Sequence, residues 1–597
     1  MMYCFLAFMH HIAILDFGSQ YTHLIARRIR ELGVRSEIYP ANTTSGSLPA
    51  DAIGIILSGG PQSVYDERSV QIDPALFSCG RPVLGLCYGH QLMAQYTNGA
   101  VEPGTVREYG RAELMREDNV LMRSVPEKST VWMSHGDAVT KLGDGFKKIG
   151  ATADCPIAAM ANDEKKLYGL QFHPEVKHSE YGMTMLNNFV FAVCGAEKNW
   201  NIEHLIDLLI ADIRQKAADK KVFVLVSGGV DSSVTFALLS RALGSNRVYG
   251  LYVNTGFMRK DESEEIEAHF KSAGFENIHT FDAHEIFYER LSNVCDPEEK
   301  RKIIGATFID VKDGVAERSG LNGDEWMLGQ GTIYPDTIET GGTQHADTIK
   351  THHNRVDAIQ RMIKEGKVIE PIAEFYKDEV RELGRLLGLP ERMISRHPFP
   401  GPGLAIRILC HDTEKSATAP VRKEKNAAVL PIRSVGVQGD NRTYAHPLVV
   451  WNNDGWSELD AFSSKTTNNS KDINRVVLLL NETNERTFSL PLKTKSLTLD
   501  RIRLLQDVDA LVMREIVDAG YETMLWQCPV VLAPIGYDHF ESIILRPVVS
   551  QEAMTAHFAR LDRQFLARLA QTIVDTYPID YILYDITNKP PGTIEWE

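Results

Sequence analysis

The chain has 597 residues, well past the roughly 250 to 300 at which a single hydrophobic core stops growing, so several domains must each bury their own core. It is 43% hydrophobic and 24% charged, without a low-complexity tract, which excludes global disorder. Lys and Arg number 64 against 79 Asp and Glu, a net charge of −15, so no broad basic face is expected and nucleic acid is not an expected partner.

At the start of the chain, Tyr3 to Met9 is apolar but lacks a basic flank, and it runs into the strand-like HIAIL of residues 11 to 15. It reads as an extended start rather than a targeting segment. No run approaches the roughly 18 apolar residues of a spanning helix, so no membrane partner is expected. The eight cysteines (Cys4, Cys79, Cys87, Cys155, Cys194, Cys295, Cys410, Cys528) stand singly without a CxxC pair. That spacing speaks against a zinc site or a disulfide framework and suits reduced thiols in a cytoplasm.

From residue 11 to about 196, short apolar runs alternate with helical patterns: IAIL before DFGSQ, IGIIL at 53 to 57 before SGGP, VLGLC at 83 to 87 before a helix, and LYGLQF at 167 to 172. Strands closed by glycine turns and followed by helices predict a parallel-sheet α/β domain. Within it, Gly85-Leu86-Cys87-Tyr88-Gly89 follows a strand and opens a helix, the arrangement of a nucleophile elbow with Cys in place of Ser. The helix N-terminus favours a thiolate, and the Tyr88 N–H can face a developing oxyanion; Gly60, in Ser58-Gly59-Gly60-Pro61, offers a second donor. Phe172-His173-Pro174-Glu175 supplies the base. Two residues apart on an extended segment, His173 and Glu175 point the same way, so the carboxylate can orient the imidazole. His90 is expected as a first-turn helix residue and not a second base. These three motifs, in this order, resemble class I glutamine amidotransferases. The resemblance implies hydrolysis of glutamine through a thioester at Cys87.

A second unit opens with the strand VFVLV at 222, then Ser227-Gly228-Gly229-Val230-Asp231-Ser232-Ser233, a helix, and another strand at 248 to 253. That is the opening of a doubly wound nucleotide-binding sheet. Backbone N–H groups, hydroxyls and a helix N-terminus suit phosphate oxygens, and the missing GK[ST] argues against γ-phosphoryl transfer. The loop resembles that of ATP pyrophosphatases, which implies ATP as substrate and Asp231 as a Mg²⁺ ligand. Further along come GFMRKDE at 256 to 262, KRKIIGATF at 300 to 308, GQGTIYPDTIE at 329 to 339, KTHHN at 350 to 354, FYKDEVR at 375 to 381, RHPFPGPGLAIR at 396 to 407, VGVQGD at 435 to 440 and NKPPGTIEWE at the end.

Together, over nearly all of residues 12 to 597, these motifs resemble the glutamine-hydrolysing GMP synthetases. The resemblance implies a carbon–nitrogen ligase that adenylates xanthosine 5′-monophosphate (XMP) at its C2 oxygen and lets ammonia displace AMP, giving GMP. It further implies Arg407, Lys589, Ile594 and Glu595 as substrate residues, Asp336 as a second Mg²⁺ ligand and Lys377 as a cation toward the ATP phosphates. The histidines of KTHHN are expected as substrate or lid contacts within a closing segment at 329 to 354. One departure is Asn254 in VNTG, where relatives commonly carry Asp.

The expected fold is α/β: a class I amidotransferase domain at 11–196, a Rossmann-like ATP pyrophosphatase domain at 197–407, and an α+β module at 408–597 with an inserted subdomain at about 411–500. Polar stretches such as TEKSATAPVRKEKN and SSKTTNNSKD separate the inserted strands. The insertion resembles a second copy of the terminal α+β subdomain, which favours a monomer and leaves a homodimer as the alternative. Two other functions compete: the same chemistry on another acceptor, and a catalytically silent binding protein that retains the fold. The missing basic RNA face and the C-terminal module disfavour the first; the intact motifs in both halves disfavour the second.

Overall fold

The computed structural model describes residues 9–65, 72–321, 323–340, 362, 365–394, 399–412, 423–424, 426–438, 441–451, 454–470, 472–481, 491–550 and 556–597. The KTHHN motif, the expected closing segment beyond 340 and most of Tyr3 to Met9 lie outside them. The chain forms two compact units. One comprises Met1–Lys216, Thr332–Ala358 and Ile372–Leu383; the other comprises Ala217–Gly331, Ile359–Pro371 and Gly384–Glu597.

The first unit is built on a nine-stranded sheet of β1 (His11–Asp16), β2 (Ser36–Pro40), β3 (Ala52–Leu57), β4 (Val83–Leu86), β5 (Ala100–Arg116), β6 (Lys128–Lys141), β7 (Lys147–Ala151), β8 (Ala159–Asn162) and β9 (Leu167–Leu170), in the order β2-β1-β3-β4-β9-β8-β7-β5-β6. The strands from β2 to β9 along that order run parallel. Their residues are apolar without alternation, and Ile12, Ile14, Ile56 and Leu84 are fully buried, as expected for strands covered on both faces. The other half is antiparallel, which the expectation of a parallel sheet did not include. These strands follow one another without crossover helices, and short links permit only antiparallel pairing. Alternating burial along β6 marks a strand with one wet face.

The second unit holds a parallel sheet of β10 (Lys221–Leu225), β11 (Val248–Asn254), β12 (Ile278–Asp282), β13 (Trp326–Gly329) and β14 (Val368–Ile369), ordered β12-β11-β10-β13-β14. The strand order reverses between β10 and β13, and the crevice at the carboxyl ends of those strands is where doubly wound sheets bind ligands.

Its remaining strands are β15 (Lys423–Glu424), β16 (Ala427–Val429), β17 (Ser434–Gln438), β18 (Asn441–Val450), β19 (Ile473–Leu479), β20 (Val530–Ala533), β21 (Ser542–Leu545), the hairpin β22 (Val548–Val549) and β23 (His557–Phe558), and β24 (Tyr581–Asp585). The larger sheet runs β15-β16-β18-β19-β24-β21-β20, with β17 paired to β18. It has an internal symmetry. β18 and β19 are parallel around the helix Trp456–Asn469, and β21 and β24 are parallel around the helix Arg563–Thr576. The halves join where β19 and β24 pair antiparallel, with Leu478 opposite Tyr584. The inserted segment is thus a second βαβ half, continuous with the terminal one inside a single chain.

Candidate active site

In the first unit Cys87 sits between β4 and the helix Tyr88–Tyr96 with φ 49° and ψ −103°, a left-handed backbone at a non-glycine residue. Such strain persists only where the surroundings over-determine it, and here the Cys87 N–H donates to Leu170 O (2.8 Å) and the Gly89 N–H to Ser58 O (3.1 Å). Gly89 is obligatory for close approach, because a Cβ there would lie 2.5 Å from Leu57 O. The turn leaves the thiol at the helix N-terminus, lining a cavity of about 740 Å³ with Gly60, Tyr88, Ser134 and His173.

His173 and Glu175 lie just past β9 in a turn, not on the extended segment expected, because Pro174 bends the chain. The pairing survives: His173 Nδ1 and Glu175 Oε1 are 2.7 Å apart, and both residues are buried. Burial alone would lower the imidazole pKa. The Glu175 carboxylate and the Cys87 thiol outweigh it and hold His173 well above the ordinary histidine range. The turn is clamped by the His173 N–H donating to Trp132 O (3.0 Å), the Ser179 hydroxyl to His173 O (2.6 Å) and Arg28 Nε to Glu175 O (2.9 Å). Tyr21 stacks edge-on against the His173 ring at 4.9 Å.

Several site residues have no motif of their own. Cys87 Sγ lies 3.6 Å from Ser134 O, and Gln171 Nε2 lies 3.8 Å from the thiol. Gln171 precedes His173 by two positions, and that spacing is the one signal that pointed to it. His90 is fully buried, with Nδ1 where a Cβ on Gly169 would clash, and burial lowers its pKa to about 3. It stays neutral at physiological pH. Burial, reinforced by the Glu108 carboxylate, pushes the Cys155 thiol up to about 12, which removes a rival nucleophile.

In the second unit, Ser227 to Ser233 joins β10 to the helix Val230–Leu243 at the switch point of the sheet. Gly228 has φ 77°, which only glycine adopts without strain. The Ser227 N–H donates to Ser232 Oγ (3.1 Å), the two hydroxyls are 3.1 Å apart, and the Gly229 N–H donates to Ser227 Oγ (3.3 Å). These bonds shape the loop before any phosphate arrives. Val230 and Ser233 are buried beneath it, whereas Ser227 is exposed and Asp231 and Ser232 are half-buried. Gly331, past β13, is packed so closely that a Cβ would lie 3.0 Å from the Asp231 carbonyl carbon. Asp336 and Lys377 belong to the first unit. Asp336 Oδ2 accepts from the Ile333 N–H (3.2 Å) at the start of the helix Tyr334–Thr340, and Lys377 is exposed at the start of the helix Lys377–Leu386.

Two expected substrate residues pair with each other. Arg407 Nη2 donates to Glu595 Oε1 (2.7 Å) and Nε to Oε2 (2.9 Å) in a bidentate bridge, and the guanidinium lies over Phe399 at 4.9 Å. Arg407 is fully buried and gives its Nε–Nη2 edge to Glu595, while its Nη1 has no hydrogen-bond partner among the described residues. Gln527 Nε2 also reaches Glu595 Oε1 (3.1 Å). The tail is anchored on Asp585, which receives Arg475 (2.8 Å), Arg546 (3.0 Å) and Trp596 Nε1 (2.9 Å). Lys589 and Ile594 are half-buried along it. Burial, and then the charge of Arg546, lower the Lys589 pKa.

Family models match three stretches: glutamine amidotransferase class-I over residues 13–193, NAD synthase over 201–304, and GMP synthase C terminal domain over 514–596. A Leptospira interrogans protein described as a probable GMP synthase (glutamine-hydrolysing) is 46% identical, over 98% of this chain and 99% of its own. The chain belongs to the glutamine-hydrolysing GMP synthase family. An Enterococcus faecalis member is 39% identical with 98% of both chains covered, and one from Caenorhabditis elegans is 37% identical over 98% of this chain and 92% of its own.

In this member of the GMP synthase family, Asn254 is satisfied on both sides of its amide. Its Nδ2 donates to Asp282 Oδ1 (3.2 Å), and its Oδ1 accepts the Gly256 N–H (3.0 Å). An Asp at 254 would set two carboxylates against each other, whereas the amide satisfies both partners.

Proposed function

We propose that the chain aminates XMP to GMP at the expense of ATP, drawing ammonia from glutamine and releasing glutamate, AMP and pyrophosphate. The observation that carries this is the presence in one chain of an elbow-held thiol with its histidine–carboxylate partner and of a preshaped anion loop at a sheet switch point.

The Cys87 thiolate attacks the amide carbon of glutamine, with the N–H groups of Gly60 and Tyr88 receiving the oxyanion. His173, held protonated by Glu175, gives its proton to the departing ammonia, and water then hydrolyses the thioester to glutamate. In the other half, the C2 oxygen of XMP attacks the α-phosphorus of ATP, the phosphates resting in the loop Ser227 to Ser233. Ammonia then adds at C2 and AMP leaves. Lys589 contacts the XMP phosphate: a half-buried lysine whose charge is disfavoured by burial and by Arg546 is relieved by an anion. Arg407 holds Glu595 toward the purine edge, with Ile594 next to it in the chain.

The oxygen donors around the loop, Asp231 with the Ser227 and Ser232 hydroxyls, fit a hard divalent cation, so Asp231 would hold Mg²⁺. Bound there, Mg²⁺ supplies positive charge to the leaving pyrophosphate. We assign residues 11–196 to ammonia release, 197–407 to adenylation and 408–597 to nucleotide recognition. We also propose a cytoplasmic monomer: no helix among the described residues is long and apolar enough to cross a membrane, and the second βαβ half covers the edge of the first. Incubation with ATP, Mg²⁺, glutamine and XMP tests the reading. GMP, AMP and pyrophosphate in equal amounts support it, and amination of a different acceptor under the same conditions overturns it.

A further inference from the structure

Beside the glutamine pocket lies a second constellation that the proposed chemistry does not use: Glu108, His135 and Cys155, whose donor atoms all fall within 4.8 Å of one another. They come from three separate places in the first unit. Glu108 and His135 face each other directly in the β5–β6 register, immediately after the irregularity at Pro103 to Glu108, and Cys155 lies between β7 and β8. His135 and Cys155 are buried, and Glu108 is 9% exposed.

The hydrogen-bond geometry asks for a cation at this point. His135 Nδ1 lies 3.0 Å from the carbonyl oxygen of Asp137, an acceptor, so that nitrogen carries a hydrogen. Its Nε2 lies 2.9 Å from Glu108 Oε2, also an acceptor. A neutral ring that donates from Nδ1 turns its Nε2 lone pair onto the carboxylate, a repulsion that a cation bound by both would relieve; at 2.9 Å the two atoms must first move apart to admit a metal ion. Among the described residues no lysine or arginine pairs with Glu108. The supporting shell is also in place. Thr152 Oγ1 donates to Glu108 Oε1 (3.0 Å) and accepts the Cys155 N–H (3.0 Å), fixing both outer ligands relative to each other.

We propose that Glu108, His135 and Cys155 form a binding site for a divalent cation of the zinc class, with a fourth position open toward the glutamine pocket. One nitrogen, one sulfur and one carboxylate oxygen form a borderline-soft donor set that suits Zn²⁺ and is wrong for Mg²⁺ or Ca²⁺. Metal–ligand lengths of about 2.0 to 2.3 Å place tetrahedral donors roughly 3.3 to 3.8 Å apart, so small side-chain adjustments close the site. His135 lines the cavity that holds Cys87, which gives an ion its way in. An ion here would tie β5 to β6 one residue from Ser134, whose carbonyl touches the nucleophile.

The test uses the full-length Cys87→Ala protein, so that the catalytic thiol cannot act as a ligand, cleared of metal by chelation and titrated with CoCl₂. One equivalent is expected to bind with a thiolate-to-cobalt charge-transfer band in the near ultraviolet and the visible bands of a four-coordinate ion, and Zn²⁺ is expected to displace it and raise the melting temperature. Adding Cys155→Ser should remove the charge-transfer band and weaken binding at least about tenfold, while Glu108→Gln should weaken binding and keep the band. No charge-transfer band in the Cys87→Ala protein overturns the proposal without any second substitution. A band that keeps its intensity in the Cys155→Ser protein, with the ion bound equally well, overturns it too.

Discussion

Replacing Glu175 by Gln removes a buried carboxylate 2.7 Å from His173 and changes almost nothing in shape. In the native site burial presses the imidazole toward its neutral form, and the carboxylate reverses that preference. Without the charge, burial is opposed only by the Cys87 thiol, so the His173 pKa falls. Hydrogen bonds to charged groups contribute about 1.5 to 3 kcal/mol. At about 1.4 kcal/mol per tenfold, the loss corresponds to roughly a 10- to 150-fold fall in kcat for glutamine hydrolysis. The sign of the pH effect follows. The thiolate–imidazolium pair needs a protonated His173, so activity is lost as pH rises through its pKa, and lowering that pKa moves the alkaline limb of the profile to lower pH. Glutamate release measured across pH gives both the rate and the limb. GMP formation from ammonium, measured on the same protein, should stay at the parental rate and reports on folding. Glutamine hydrolysis within twofold of the parent, with an unmoved alkaline limb, would refute the role given to Glu175.

Two substitutions should separate the halves: Cys87→Ala should lose GMP formation from glutamine and keep it from ammonium, whereas Asp231→Ala should lose pyrophosphate release with either nitrogen source and keep glutamine hydrolysis. Product assays with each donor decide both. Gly89→Ala forces a Cβ to within 2.5 Å of Leu57 O, and overpacking of this kind costs about 1 to 3 kcal/mol, so the melting temperature should drop and glutaminase activity should fall with the displaced elbow. Because the inserted βαβ half continues the terminal sheet, sedimentation should give the mass of one chain, and a dimer persisting at nanomolar concentration would contradict that.

The candidate thiol was legible in the sequence because the elbow, the His–Glu pair and the Ser58–Pro61 glycine turn are each local motifs closing a strand. The anion loop was legible for the same reason: Gly228 needs a positive φ, and the hydroxyls at 227 and 232 lie within one turn. What escaped was assembled over distance. Arg407 and Glu595 are 188 positions apart, and nothing in either motif announces that they satisfy each other. Glu108, His135 and Cys155 meet through a strand register and a loop, so no ligand spacing betrays them and the scattered cysteines point the other way. The antiparallel half of the first sheet was hidden because short apolar runs carry no sign of direction. The symmetry of the C-terminal sheet was visible in outline, since RVVLLLN reads as a buried strand, but its pairing with Tyr581–Asp585 rests on tertiary contacts.

The most direct test of the proposed reaction follows two labels at once. XMP carrying ¹⁸O at C2 and glutamine carrying ¹⁵N in its amide are turned over with ATP and Mg²⁺, and the products are separated by mass. Adenylation at C2 with ammonia drawn from Cys87 predicts one ¹⁸O in the phosphate of AMP and ¹⁵N in the exocyclic amine of GMP. Pyrophosphate or free phosphate carrying the ¹⁸O, with unlabelled AMP, would contradict it.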